Sequence, residues 1–398
     1  MEDNKISKSQ IKIMIKNNIR QYTMFIALIS IMLIFSVIES KFLSPRNIST
    51  LFLQTGYIAI LTCGVVLIIV AGHIDLSIGA VVGLTGAIAA RLMVTMGLPM
   101  WLAIILTLVA GLIIGIWQGA WVAYGNVPGF IVTLAGMLIF NGLLLLVTKG
   151  GVTINFPQEF KLIGQGYIPT LFMENNVKDM IPHDTTMIIL VLSLVGFVLF
   201  EMKKRADRKK YNFHVLSTKL FIAKLFGVSA LISAVLGVMA LYKGMPYSIL
   251  IVIIIAGFYT FLTNNTAFGR HVYAIGGNKE AAKLSGINIK LRTLMIFASM
   301  GVLSAAGGIV YGARVGSASS SAGAGMELDV IAAAIIGGTS TMGGEGTIIG
   351  AVIGALVMGT LENGLLLVGV STEARMIIKG LVLLLAVFVD IKTRKNKS

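Results

Sequence analysis

The sequence predicts an all-α polytopic membrane protein, on three observations. Only 12% of the 398 residues are charged while 56% are hydrophobic, and the mean hydropathy is +0.91; soluble domains carry about 25% charged residues. Apolar runs recur along the whole chain, and roughly 20 residues suffice to cross a hydrocarbon core of about 30 Å. The formal charge of +15 gathers in four basic blocks between or beyond those runs. That is the distribution of a membrane protein with cationic cytoplasmic segments, and it argues against a nucleic-acid-binding surface.

About twelve apolar runs are present, near 22–40, 51–71, 74–95, 99–124, 128–149, 184–201, 217–242, 246–264, 292–313, 328–343, 346–368 and 374–391. The basic blocks test this count. They occupy 1–20, 203–219 (Lys203, Lys204, Arg205, Arg208, Lys209, Lys210, Lys219), 270–292 and 392–397, and six, two and four runs separate them in turn. Each number is even, so all four blocks fall on one side, expected to be the cytoplasm. The predicted organisation is a basic segment over 1–21, a transmembrane domain over 22–391 and a tail over 392–398. Within the domain, 150–183 is expected as an external loop, 203–219 as a basic cytoplasmic loop and 265–291 as a second cytoplasmic loop. No small-residue cleavage site follows the first run, which reads as an uncleaved span with both termini inside. The lone Cys63 excludes an intramolecular disulfide and reads as a packing residue.

A weak internal repeat runs at an offset of 238 to 239 residues: Gly111 and Gly115 answer Gly350 and Gly354, and Asn141-Gly142-Leu143 answers Lys379-Gly380-Leu381. By the span count the two halves enter the membrane from opposite sides, the arrangement of inverted repeats with broken helices. Chance similarity among Gly-, Ala- and Leu-rich stretches is the competing explanation.

Polar residues within the oily runs are the candidates for function. In Gly72-His73-Ile74-Asp75-Leu76-Ser77, Asp75 and Ser77 either cap the following helix or flank a broken helix beside a translocation path. Asn141, Asp329, Glu362, Asn363 and Lys379 are further intramembrane polar groups, serving as interhelical clamps or as contacts for a polar solute. The glycine-rich stretch 337–346 lacks the Gly-Lys-Ser/Thr of a phosphate cradle and suits close helix packing. Trp101, Trp117 and Trp121 suit interfacial belts. No nucleophile, base and orienting group occur together, so no catalytic constellation is expected. Nor is a metal site: His73 has no second His or Cys at ligand spacing. No cofactor is expected on this chain.

The longest polar interruption of the C-terminal half is Gly269–Arg292. Asn278 can cap a short helix, Glu280 sits in its first turn, Ala281, Ala282 and Leu284 favour helix, and Gly286 supplies a stop. With Lys279 and Lys283 around a small apolar face, the segment reads as a knob for a cytoplasmic partner, the alternative being a solvated loop.

Five strings resemble the permeases of bacterial ATP-binding-cassette importers for monosaccharides, the ribose, xylose and galactose group: AGHIDLSIGA (71–80), FIVTLAGMLIFNGL (130–143), FGRHVYAIGGNKEAAKLSGI (268–287), ELDVIAAAIIGGTSTMGGEGTIIGA (327–351) and KGLVLLLAVFVD (379–390). Within that group, GHIDLS, WQGAWVAY (117–124) and the extra pair of runs over 184–242 resemble the multiple-monosaccharide and xylose permeases, whose shorter relatives have ten spans. Glu345 departs from the pattern, relatives often having an uncharged residue there. The resemblance implies a paired permease core, expected as a homodimer in the inner membrane. It also implies a separate cytoplasmic ATP-binding subunit that hydrolyses ATP, and an external sugar-binding protein that supplies selectivity. It assigns Asn278, Lys279, Glu280, Ala281, Ala282, Lys283, Leu284, Ser285 and Gly286 to the helix that couples to the ATPase. The competing reading is an ion-driven secondary transporter that works alone, motivated by the inverted repeat and by Asp75, Glu362 and Lys379.

Overall fold

The computed structural model describes residues 24–150, 154–172, 182–211, 213 and 215–395. The basic segment 1–21, together with Glu174, Lys178 and Asp179 of the expected external loop, lies outside the described residues. Helices α1 (Met24–Ile38), α2 (Pro45–Val70), α3 (Ile78–Ala90, prolonged by a π-helical turn to Thr95), α4 (Met100–Ala123) and α5 (Gly129–Val147) come first. A short α6 (Gln158–Gln165) precedes α7 (Asp184–Lys210), α8 (Thr218–Ala240) and α9 (Tyr247–Asn265). Then follow α10 (Ala267–Gly277), α11 (Lys279–Leu284), α12 (Ile289–Val315), α13 (Met326–Ile336), α14 (Ile348–Leu367) and α15 (Thr372–Lys395). The described sheet is one antiparallel pair, β1 (Ile154–Asn155) with β2 (Ser317–Ala318), Ile154 facing Ala318. The protein is an all-α polytopic membrane protein, and each of the twelve apolar runs carries a helix.

Nine helices among the described residues are long and apolar enough to cross a membrane. The described part of α1 and all of α13 are shorter, and α15 is interrupted by Glu373, Arg375, Lys379 and Asp390. Three expected boundaries change. The run at 328–343 holds only the short α13, because the chain turns at Gly337 and then at Gly338 (φ +85°), a conformation that glycine adopts freely. The basic residues 203–210, expected in a loop, continue α7 to Lys210; Lys, Arg, Met and Ala are good helix formers, so charge alone does not end a helix. The expected loop 265–291 is largely helical. Thr266 accepts a hydrogen bond from the Gly269 amide (3.3 Å) to start α10, whose Phe268, Val272 and Ile275 recur at helical spacing and are buried.

The chain divides into two compact units. The first comprises residues 43–50 and 167–246, and its described helices α7 and α8 pair as a hairpin. Glu201 binds Lys224 at 2.7 Å, while the Arg205 guanidinium donates to Thr218 (3.1 Å) and lies 4.3 Å over the Phe221 ring. Most of the hairpin's apolar surface is uncovered by protein, as expected of helices whose solvent is lipid.

The second unit holds residues 20–42, 51–166 and 247–398. Its main core joins α2, α12, α13 and α14, and a second cluster joins α3, α4, α5 and α6. Small residues let backbones touch: a Cβ at Gly115 would strike the Phe297 carbonyl, and one at Gly301 would lie 2.8 Å from the Gly115 Cα. Between membrane helices such close packing replaces the hydrophobic drive that lipid removes. Both members of the proposed repeat use glycine alike. Gly111 and Gly115 meet α12, Gly350 and Gly354 meet the α13 end, and α3 neighbours α4 and α5 as α13 neighbours α14 and α15.

Candidate functional site

Two features of the second unit stand out, one at the lysine-rich turn between α10 and α12 and one about 24 Å away along α2, by the distance from Val70 to Gln54 at 1.5 Å per residue.

At the first, Asn278 Oδ1 accepts from the Ala281 amide at 2.9 Å and starts α11. The helix stops in a Schellman motif: Gly286 (φ +79°) donates to the Lys283 carbonyl at 3.0 Å and Ile287 to the Ala282 carbonyl at 3.2 Å. The small apolar face expected of Ala281, Ala282 and Leu284 is split. Ala282 is buried against the protein, while Leu284 is 89% exposed and Ala281 lies outward with Lys279, Glu280 and Lys283.

The helix does not stand free. Tyr273 on α10 donates to the Gly346 carbonyl at 2.7 Å, and the Gly344 amide donates to the Val70 carbonyl at 2.9 Å. A Cβ on Gly276 would collide with that same carbonyl. The glycine-rich stretch is therefore the bearing on which the base of α11 rests, and the close approach explains its composition. Clefts of about 360 and 230 Å³ border Gly72, His73 and Lys279 beside this base. Burial, with Lys279 nearby, pushes the His73 imidazole down to about 4, so it is neutral near pH 7.

Asp75 and Ser77 form the break between α2 and α3. Asp75 Oδ1 accepts from the Ser77 amide (2.8 Å) and hydroxyl (2.7 Å), and Gln118 Nε2 on α4 donates to Ser77 Oγ (2.6 Å). Ser77 occupies the N-cap position but makes no side-chain cap bond, since its hydroxyl is turned to Asp75. Both side chains are buried and line none of the described clefts; their visible work is holding the bend.

The second feature is a cavity of about 360 Å³ bounded by α2, α12, α13, α14 and α15. Lys379 on α15 reaches Asp329 on α13 at 3.0 Å and Glu362 on α14 at 3.5 Å, and Arg375 Nη1 donates to Glu362 at 2.6 Å. Tyr57 and Tyr311, their rings 5.1 Å apart edge to face, line it with Gln54 and Arg314. Asn363 is buried behind this wall and donates to Gln54 at 3.1 Å. Of the intramembrane candidates, Asp329 and Glu362 thus meet at one site with Lys379, Asn363 stands one contact away, and Asn141 lies exposed on α5, away from the described clefts. Gln54, Tyr57, Tyr311, Arg314 and Arg375 were not singled out in the sequence. Arg375, a cation opening an apolar run, carried a usable signal, whereas the tyrosines and Gln54 look like ordinary members of oily helices. Among the described residues no group of three or more His, Cys, Asp or Glu is arranged to hold a metal.

A polytopic helical bundle with a short capped cationic helix at one end and a charged cavity among its apolar helices is the make-up of a membrane permease. The family model for permease components of branched-chain amino acid transport systems matches residues 47–387, and the chain belongs to that family. It is 41% identical over 380 residues to the xylose transport system permease protein of Haemophilus influenzae, covering 95% of this chain and 98% of the relative. To the xylose transport system permease protein of Escherichia coli K12 it is 40% identical (95% and 93%), and to the ribose import permease protein of Bacillus subtilis 31% identical (92% of each). The relatives it matches are thus permeases named for xylose and ribose transport. No solved structure matches the chain.

Proposed function

We infer that this chain forms the membrane path of a bacterial importer for xylose or a related monosaccharide, with α11 as the seat of a separate ATP-binding subunit. The observation that carries the reading is near full-length similarity to permeases named for xylose transport, joined to a capped helix that offers a bare leucine between lysines. Leu284 gains nothing for this fold by its 89% exposure, and an exposed apolar side chain on a rigid mount suits a docking pocket. On this reading α11 lies on the cytoplasmic side of the inner membrane and the Ala324 end of the charged cavity faces outward. There a sugar-binding protein delivers the solute to a pair of permease copies. ATP binds and is hydrolysed on the partner. Its dimerisation displaces α11, and the two membrane conformations it selects open the path to either side. Asp329 and Glu362 face that path.

The test is a reconstituted complex carrying Lys279→Glu with Lys283→Glu, or Leu284→Asp. Membrane insertion and thermal melting should be unchanged, while co-purification of the ATPase is lost and ATP-driven sugar uptake falls to background. Normal uptake by either variant, or uptake by the permease alone along an ion gradient, overturns the assignment.

A further inference from the structure

Helix α7 changes character along its axis. From Thr185 to Phe200 it carries no charged residue, a rise of about 24 Å at 1.5 Å per residue, and most of that apolar stretch is uncovered by protein. With no break in the helix, Lys203, Lys204, Arg205, Arg208, Lys209 and Lys210 then follow, and Asp207 is the one acid among them. At 3.6 residues per turn these cations surround the helix. Arg205 is occupied by Thr218 and the Phe221 ring of α8. Lys203, Lys204, Arg208 and Lys209 are exposed, and among the described residues none of them has an ion-pair partner. Lys219, next to the Thr218 that Arg205 holds, is exposed as well. The chain folds back on the last turn, the Phe213 amide donating to the Arg208 carbonyl at 2.9 Å. Tyr211 and Phe213 are both exposed there and line a cleft of about 260 Å³ with Asp207 and Arg208.

A basic block that only directs insertion needs charge and no particular shape. This one has a shape: the Arg205 contacts and the Glu201–Lys224 ion pair tie it to α8. Like charges held this close repel one another, and anions set among them relieve the repulsion. The segment Lys203–Lys210 rises about 12 Å, enough to pass through a headgroup layer of about 5–8 Å beyond the hydrocarbon. Exposed aromatic rings beside it suit that layer better than open water. An amphiphile with acyl chains and an anionic head matches both halves of this surface, and a soluble anion matches one.

We propose that the basic end of α7, with Lys219, is a binding site for anionic phospholipid. Its phosphates lie among Lys203, Lys204, Arg208 and Lys209, and its acyl chains run along the bare apolar face of the hairpin. Cardiolipin, with two phosphates on one molecule, meets more of these cations than phosphatidylglycerol and binds the more tightly. The site needs only that the hairpin stands in a bilayer, and it holds whatever solute the protein carries.

The test is native mass spectrometry of the purified full-length protein, counting bound lipid as cardiolipin, phosphatidylglycerol or phosphatidylcholine is titrated in. Affinity should fall in that order, and the differences should shrink as ionic strength rises. A basic residue near an anionic surface contributes about fivefold before screening. Lys204→Gln with Arg208→Gln and Lys209→Gln should therefore weaken cardiolipin binding about tenfold to a hundredfold and leave phosphatidylcholine unchanged. The charge-keeping set Lys204→Arg, Arg208→Lys and Lys209→Arg should bind as the wild type does. So should Lys392→Gln with Arg394→Gln and Lys395→Gln, which removes three cations from the end of α15. Where the triple glutamine variant does not fold, Lys209→Gln alone decides, with an expected loss of about twofold to fivefold. Equal affinity of the wild type for cardiolipin and phosphatidylcholine overturns the site. Equal losses in the α7 and α15 variants reduce the effect to net charge and overturn it too. Loss of a co-purifying ATPase with cardiolipin binding intact would assign the surface to a protein partner instead.

Discussion

Gly276 and Gly277 are adjacent glycines at the end of α10, and the structure gives them opposite fates on substitution by alanine. At Gly276 the new Cβ would strike the Val70 carbonyl and lie 2.6 Å from the Gly344 amide nitrogen, both backbone atoms of segments packed in the core. No flexible side chain is there to yield. Overpacking of this kind costs about 1–3 kcal/mol, and prising Gly344 from Val70 forfeits a hydrogen bond worth about 0.5–1.5 kcal/mol. Better helix propensity returns up to about 1 kcal/mol, leaving a net loss of about 0.5–3.5 kcal/mol. At Gly277 a Cβ meets nothing within 4 Å, so only the propensity gain remains. Cys63, the chain's one cysteine, is fully buried, so a thiol-reactive fluorophore reports melting of the core from a single site. At about 2 °C per kcal/mol for a chain of this size, Gly276→Ala should melt about 1–7 °C lower. Gly277→Ala should melt at the wild-type temperature or about 2 °C above it. Equal losses in the two variants, or none in either, would refute the assignment of 337–346 as the bearing for α11.

Lys379→Met strips the shared cation from Asp329 and Glu362. Breaking a fully buried pair costs about 3–5 kcal/mol, but these side chains are 18–36% exposed, so about 1–3 kcal/mol is expected; a double-mutant cycle with Asp329→Asn should show coupling, and additive effects would contradict the ion pair. Asp75→Ala leaves the buried Ser77 amide without its acceptor and should lower stability by about 1–3 kcal/mol, while Asp75→Asn keeps a carbonyl oxygen and should lose much less; equal losses would show that charge, not the bend, matters there. His73 is held neutral, its folded pKa near 4 lying below the unfolded value near 6.5. The unfolded chain therefore binds the proton first, and stability present above pH 6.5 is lost as pH falls toward 4. The melting temperature should decline across that window, and His73→Gln should flatten the decline; identical pH profiles would rule His73 out.

The elements were legible where hydrophobic periodicity and length agree, and each apolar run carries a helix. What escaped was set by packing. Nothing in Met326–Gly346 announces that its helix ends at Ile336, because the decision lies in Gly337 and Gly338 and in the seat that Val70 and Gly276 provide. The basic end of α7 was misread because lysine signals an interface while remaining a good helix former. Phe268, Val272 and Ile275 did spell an amphipathic helix, but only across a stretch whose charge suggested a loop. For the cavity, Asp329, Glu362 and Lys379 were visible as anomalies in oily runs, yet their meeting depends on three helices separated by up to 50 residues. Tyr57 and Gln54, on α2 some 300 residues away, gave no sign at all.

The two features are joined by one helix. Residues Ser285–Asn288 separate α11 from α12, which then runs from Ile289 to Val315, about 40 Å at 1.5 Å per residue, and Tyr311 and Arg314 near its far end line the cavity. Along its length α12 is locked to its neighbours through backbone. Gly301 meets the Gly111 carbonyl and Gly115 on α4, and Gly308 meets the Thr85 hydroxyl and the Val82 carbonyl on α3. Contacts so close leave little room for side chains to yield, so under the proposed coupling a push at α11 would move α3, α4 and α12 together. The opposite wall is a second stiff group, with α13 seated on Gly354 of α14 and the ion pairs of Lys379 tying α13, α14 and α15. A cavity between two rigid groups changes shape only when one moves against the other. Under the proposed coupling, the glycines that appear in the sequence as low-complexity filler are what would let a six-residue helix act at the far end of a 27-residue one.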